Sequence, residues 1–263
     1  MLLKARSYFY VFWLLLKTDL LVLKKNIIGK IINVLCWSSS IVIVSTFILT
    51  KLGMTEKYGE FIAVSAIASQ CWWGIWDSAY WMLADIEDKK VIDYKFALPM
   101  SSWLVLVQYA VRHAIYRLLP SLIILPFFKI ILGSRMNLSN FSFFKFSLMF
   151  ITISLFTGFF YIFVSSFVKN SSRVDTIGIR LLFPIWFFGA SQNSWWIMHS
   201  VNSKIAYGIL LNPWVYAMEG MHSAVLGPKG YLPFWVCFAV LWVCIFGFGL
   251  IGILRFKKRL DFV

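Results

Sequence analysis

Charge inside an apolar segment is the first place to look for chemistry, because a lone ion in hydrocarbon costs several kcal/mol and persists where it is paired or used. Asp77, Arg112, His113 and Arg117 stand in such segments. Asp77 lies eight residues before Asp85, and Arg112 lies nine residues after Trp103. On antiparallel helices joined by the polar stretch between them, the two reach a similar depth. The sequence therefore predicts an Asp77–Arg112 pair with Arg117 and His113 nearby, serving as a cavity-facing gate or as a staple between helices.

The polar stretch itself, DIEDKKVIDYKFALPMSS from Asp85 to Ser102, is the strongest single feature. Asp85, Glu87, Asp88, Lys89, Lys90, Asp93 and Lys95 crowd its first half. A charged helical element held tightly between two apolar segments suits docking of a soluble partner; the plainer alternative is a solvated loop. Aromatic residues form a second group: Trp72, Trp73, Trp76, Tyr80 and Trp81, then Trp186, Trp195, Trp196, Trp214 and Tyr216. Interfacial belts explain many of them. Trp72 and Trp73 lie deeper, where stacking on a sugar or a lipid-linked substrate in a translocation path is the alternative.

Other motifs carry less. Gly247, Gly249 and Gly252 match the dinucleotide fingerprint, but that motif needs a preceding strand and a helix start, whereas here it sits mid-way along an apolar run. Close helix packing by small residues is the expected use. No phosphate loop, HExxH or G-x-S-x-G sequence occurs, and His113, His199 and His222 have no metal-ligand spacing. Cys36, Cys71, Cys237 and Cys244 all fall in apolar segments and match no zinc pattern. No catalytic residue, metal or cofactor is therefore expected in this chain.

The elements that must position these residues follow from composition. Of 263 residues, 60% are hydrophobic, 19% aromatic and 14% charged, against roughly 25% charged in soluble domains. That excludes a soluble enzyme, a disordered chain and a disulfide-rich secreted module. The apolar residues occur in runs near twenty, the length that crosses a hydrocarbon core of about 30 Å. The expected fold is an all-α polytopic membrane protein, one domain over 1–263. A basic interfacial helix over 1–30 precedes six spans, at 31–50, 61–84, 103–128, 143–168, 176–190 and 234–254. The stretch 191–233 is too broken by polar residues and prolines to span, and short re-entrant half-helices are expected there.

The net charge of +14 comes from 25 Lys and Arg against 11 Asp and Glu. Sixteen of the 25 lie in the N-terminal segment, the 85–102 insert, the 169–180 region and the C-terminal tail, seven in the other loops, and two within the third span. By the positive-inside rule both termini are expected in the cytoplasm, in a multi-pass protein of the cytoplasmic membrane. Nucleic acid is not an expected partner, since no basic face with interleaved aromatics extends beyond the apolar runs.

An interfacial helix, six spans, a charged element between spans two and three, and a re-entrant pair before span six together resemble the permease subunits of type-two ABC exporters. Residues 85–102 resemble that family's coupling helix. Asn212, Pro213, Tyr216 and Glu219 resemble its Asn-Pro-x-x-Tyr-x-x-Glu re-entrant segment, and RFKKRLDF resembles its basic C-terminus. Val91-Ile92 stand where the family has Gly-Thr, and His222 stands where many members carry Arg. The resemblance implies a non-catalytic transport subunit, a homodimer joined to two separate ATP-binding subunits that hold ATP and Mg, exporting a lipid-linked glycan, a lipid or an amphipathic molecule. A membrane-embedded lipid-modifying enzyme and a self-contained secondary transporter are the rival classes. The first would need converging polar catalytic residues, and the second midplane ion-binding charges and inverted repeats.

Overall fold

The computed structural model describes residues 2–89 and 91–260, with side chains described over 7–88 and 91–259. Among these residues every regular element is helical. Four helical stretches are long and apolar enough to cross a membrane, Ser7–Ile48, Ser102–Arg135, Phe143–Phe167 and Phe234–Arg259, and they mark the chain as a membrane protein.

Helix α1, Leu2–Ile43, runs on through a π turn, Val44–Ile48, without interruption. Its 47 residues are about 70 Å long at 1.5 Å each, more than twice a hydrocarbon core. The sequence expectation of a separate helix over 1–30 is therefore corrected. Gly29 alone does not break the helix and no proline occurs over 2–48, so the basic leader and the first apolar stretch form one rod.

Helix α2, Tyr58–Ala84, is 27 residues long, and 17 of them are buried. Its Ser65, Ser69 and Trp72 face protein, which is why it need not be as apolar as a lipid-facing helix. It ends in a π turn, Asp85–Lys89, and α3, Val91–Ala97, follows. Helix α4, Ser102–Ser121, and α5, Ile124–Leu132, replace the expected third span. Pro120 and Pro126 lack the N–H groups that would bond four residues back, and the helix breaks between them.

Helix α6, Phe143–Phe167, is the centre of the molecule, packing on α2 and α4 and on α12, Phe234–Leu260. Backbones approach closely on both sides. A Cβ on Gly158 would lie 2.3 Å from the Ala110 carbonyl oxygen, and one on Gly252 would lie 2.8 Å from Phe163 Cα. Gly249 similarly abuts the Phe159 ring, whereas Gly247 faces open space. Two of the three fingerprint glycines thus serve helix packing.

The expected fifth span is a 14-residue composite: α7, Val174–Ile177, a π turn, Gly178–Leu182, and α8, Phe183–Phe187. It is shorter than the 176–190 expectation at its C-terminal end, because the chain turns at Phe188 and Ala190 takes a positive φ of 60°. Three short helices then precede α12: α9, Trp195–Val201, α10, Ser203–Ile209, and α11, Pro213–Val225. The longest, α11, is about 20 Å long, too short to cross alone.

Candidate functional site: an ion-paired cavity and a buried carboxylate

A cavity of about 550 Å³ lies where α1, α2, α4 and α6 meet the 85–97 element. The expected Asp77–Arg112 pair does not form. Asp77 Oδ2 instead accepts from Arg117 Nη2 at 2.7 Å, while Arg112 Nε lies 3.4 Å from Asp19 Oδ1 of α1. Counting depth from the helix ends misplaced the partner by five residues. It also left out Asp19, the lone acid of the basic N-terminal rod.

Asp19 is the hub of this wall. Its carboxylate accepts from Gln108 Nε2, and its backbone carbonyl accepts from the Tyr116 hydroxyl at 2.8 Å. Lys95 reaches Gln108 Oε1 at 3.5 Å and lies 4.2 Å above the Tyr109 ring. Burial pushes the Lys95 ammonium below its usual range, with Asp19 opposing that shift. Lys30 Nζ stands 5.2 Å over the Tyr116 ring. His113 donates to or accepts from Ser78 Oγ through Nδ1 at 2.8 Å and stacks on Tyr161. Tyr80, exposed and edge-on to Trp81, lies at the cavity margin.

The docking candidates divide. Asp85 is half-buried and accepts the Ile92 N–H at 2.8 Å, fixing the start of α3. Glu87 accepts from Ser171 N–H at 2.8 Å and from Ser171 Oγ at 2.6 Å, tying this element to the 168–173 turn. Asp88 and Asp93 are exposed, as are Val91 and Tyr94. The Lys89 side chain and the whole of Lys90 lie outside the described residues. Ile92 and Lys95 point inward, so α3 is anchored on one face and presents Val91, Asp93 and Tyr94 on the other.

The deep tryptophans are core. Trp72 is fully buried, donates Nε1–H to the Leu182 carbonyl at 3.0 Å, and packs on Phe160 and Trp214. Trp73 is half-buried against Phe183 and Trp186. Trp195 is buried and donates to the Ala206 carbonyl at 2.8 Å. Trp72 and Trp195 offer no open face to a cargo, whereas Trp73 keeps part of its surface exposed. Trp196 offers one: it is exposed beside a second cavity of about 400 Å³ with Tyr58, Gln192, Asn193 and Tyr231.

The re-entrant motif residues come together around α11. Asn212 caps that helix, its Oδ1 accepting Trp214 N–H at 2.9 Å while its Nδ2 donates to the Ile185 carbonyl at 2.6 Å. Pro213 occupies the first turn, where no N–H is needed. Tyr216 is half-buried against the bundle. Glu219 is fully buried and accepts Trp195 N–H at 2.7 Å and Leu232 N–H at 2.8 Å, clamping the segments before and after α11. Burial pushes its carboxyl up to about 7, the two backbone donors opposing. His222, one turn on, packs its ring against those of Phe61 and Tyr231, and its Nε2 lies 3.0 Å from Ser65 Oγ. Burial pushes it down to about 4, so it is neutral at pH 7.

Sequence reasoning passed over Asp19, Lys30 and Gln108. Gln108 lies four residues before Arg112 on α4, but Asp19 and Lys30 belong to α1, and only the packing of α1 on α4 brings them to one wall. No protein-family model matches the chain, and no curated protein matches it.

Proposed function

We propose that this chain is the permease subunit of an ATP-driven exporter of the type-two ABC class. It would act in the cytoplasmic membrane as a homodimer with two ATP-binding subunits, moving a lipid-linked glycan, a lipid or another amphipathic molecule. The observation that carries the reading is the mounting of the 85–97 element. It is braced internally by Asp85 on the Ile92 N–H and tied to two other parts of the bundle, by Lys95 to Gln108 of α4 and by Glu87 to Ser171. Yet its outer face leaves Val91, Asp93 and Tyr94 exposed. A push on that face would be passed to α2, α4 and the turn before α7 together, which is what a lever between a soluble motor and a membrane path requires. Spans two and five, α2 and the composite α7–α8, would shift with it.

These 263 residues hold no phosphate loop, and the reading assigns the motor to a separate subunit. Purification of the tagged protein from its native membrane is expected to bring down an ATP-binding cassette subunit. Asp93→Lys with Tyr94→Ala is expected to lose that subunit while leaving the thermal unfolding of the permease unchanged. Recovery of no nucleotide-binding subunit with the unaltered chain would overturn the reading.

A further inference from the structure

We infer that the cavity at the 85–97 end holds the phosphoryl headgroup of an amphiphile, on a row of cations along α4. Tyr109, Arg112 and Tyr116 fall at spacings of three and four, so they lie on one face of α4 over about 10 Å. Each end of the row carries an ammonium group: Lys95 lies 4.2 Å above Tyr109, and Lys30 lies 5.2 Å above Tyr116. Arg112 stands between them.

The carboxylates nearby balance only part of this row, since Asp19 pairs with Arg112 and lies near Lys95. Among the described residues the two ion pairs use Asp19 for Arg112 and Asp77 for Arg117. Asp85 is engaged by the Ile92 N–H, and Asp88 is exposed. Among the described residues neither lysine has a carboxylate within ion-pair distance. Lys95 is 8% exposed, and a buried ammonium held over a ring and an amide oxygen gains most from an anion. A phosphoryl group offers several strong acceptor oxygens and can bridge neighbouring cations along the row. The tyrosine hydroxyls of the same wall can serve its remaining acceptors.

The rim selects the rest of the ligand. Tyr80, Trp81 and Val91 are large, apolar and 43–59% exposed beside this polar interior. A free phosphate would leave that rim unused, whereas an acyl or isoprenoid chain entering from the bilayer would cover it. The inference needs neither ATP nor a partner. Lipid binding without an associated ATPase would leave it standing and remove the exporter reading alone.

The test uses the full-length protein in neutral detergent, with dioleoyl phosphatidic acid, dioleoyl phosphatidylcholine and glycerol 3-phosphate as probes, read by native mass spectrometry or microscale thermophoresis. Phosphatidic acid is expected to bind in preference to phosphatidylcholine. Removing a charge-assisted contact costs about a factor of ten or more in affinity, so K30Q and K95Q should each weaken phosphatidic acid binding by about that factor. K30Q removes only a ring contact of Tyr116, so its thermal unfolding should match the unaltered chain. Tyr94→Ala, outside the cavity, should leave lipid affinity unchanged. Tight lipid binding with weak glycerol 3-phosphate binding supports a membrane source; equal binding of the two supports a phosphoryl site but overturns the amphiphile. Phosphatidic acid binding that is unaffected by K30Q and K95Q overturns the site altogether.

Discussion

Two regions of this molecule use acids and bases in opposite ways. In the cavity wall at the 85–97 end, Asp19, Asp77, Arg112 and Arg117 stand as pairs beside an open volume. Around α11, Glu219 and His222 are fully buried with no ion pair among the described residues, and each is pushed towards its neutral form. The first region keeps charge by pairing and access to solvent, and its interactions can be exchanged for others. The second gives up charge for hydrogen bonds that fix three segments in place. Exchangeable charge suits a ligand or a moving part, and neutral clamps suit a frame.

The largest effect should come from breaking the frame. Glu219→Ala orphans the N–H groups of Trp195 and Leu232, each costing about 1–3 kcal/mol when buried without a partner. A loss of about 2–4 kcal/mol is expected in denaturant unfolding in micelles, and Glu219→Gln, which keeps one acceptor, should lose about half. A loss near zero would mean that the segments flanking α11 are held by something else.

The same two residues give a pH signature. A carboxyl raised to about 7 contributes stability that is present below its unfolded pKa and lost as pH rises through 7. A histidine lowered to about 4 contributes stability that is present above its unfolded pKa and lost as pH falls through 4. Between roughly pH 4.5 and 6.5 the two oppose each other. Burial raises Tyr231, which stacks on His222, so its hydroxyl stays protonated throughout. Glu219→Gln should therefore leave stability rising from about pH 4 to 6.5, and His222→Phe should leave it falling from about pH 4.5 to 7. Two parallel profiles would contradict the assignment.

Effects in the charged wall should be smaller. Asp19→Asn leaves Arg112 without its ion-pair partner and removes the charge that opposes the burial of Lys95, and a loss of about 1–2 kcal/mol is expected for this partly buried carboxylate, measured by the same unfolding. Asp77 is 55% exposed at its side chain, so Asp77→Asn should change stability by less than about 1 kcal/mol. If Asp77→Asn cost as much as Glu219→Ala, the contrast between the two regions would fail.

Much of the fold was legible. The 143–168 expectation meets the observed Phe143–Phe167 because Ser142 caps the start and the polar Lys169-Asn170-Ser171 run follows the end. The 61–84 and 234–254 expectations likewise find α2 and the core of α12, whose basic tail simply continues the helix where its cations favour the C-terminal dipole. The break at 121–124 and the short composite over 174–187 were not legible. Apolarity alone does not show where a helix winds into a π turn or yields to two prolines. The site was legible in type but not in partner. Asp77, Arg112 and Arg117 stood out, while their pairing depended on α1 packing beside α4, a long-range contact without a local signal.

The central claim, that the 85–97 element docks a motor, is tested most directly by placing a cysteine on its outer face. Tyr94→Cys, with the exposed Cys36 replaced by serine, can be cross-linked in native membranes by a short thiol-to-amine reagent. The account predicts an adduct with an ATP-binding cassette subunit, identified by mass spectrometry, that weakens when Asp93 is also changed to Lys. Cross-linking only to lipid-modifying proteins or to nothing, with the chain folded and abundant, would contradict it.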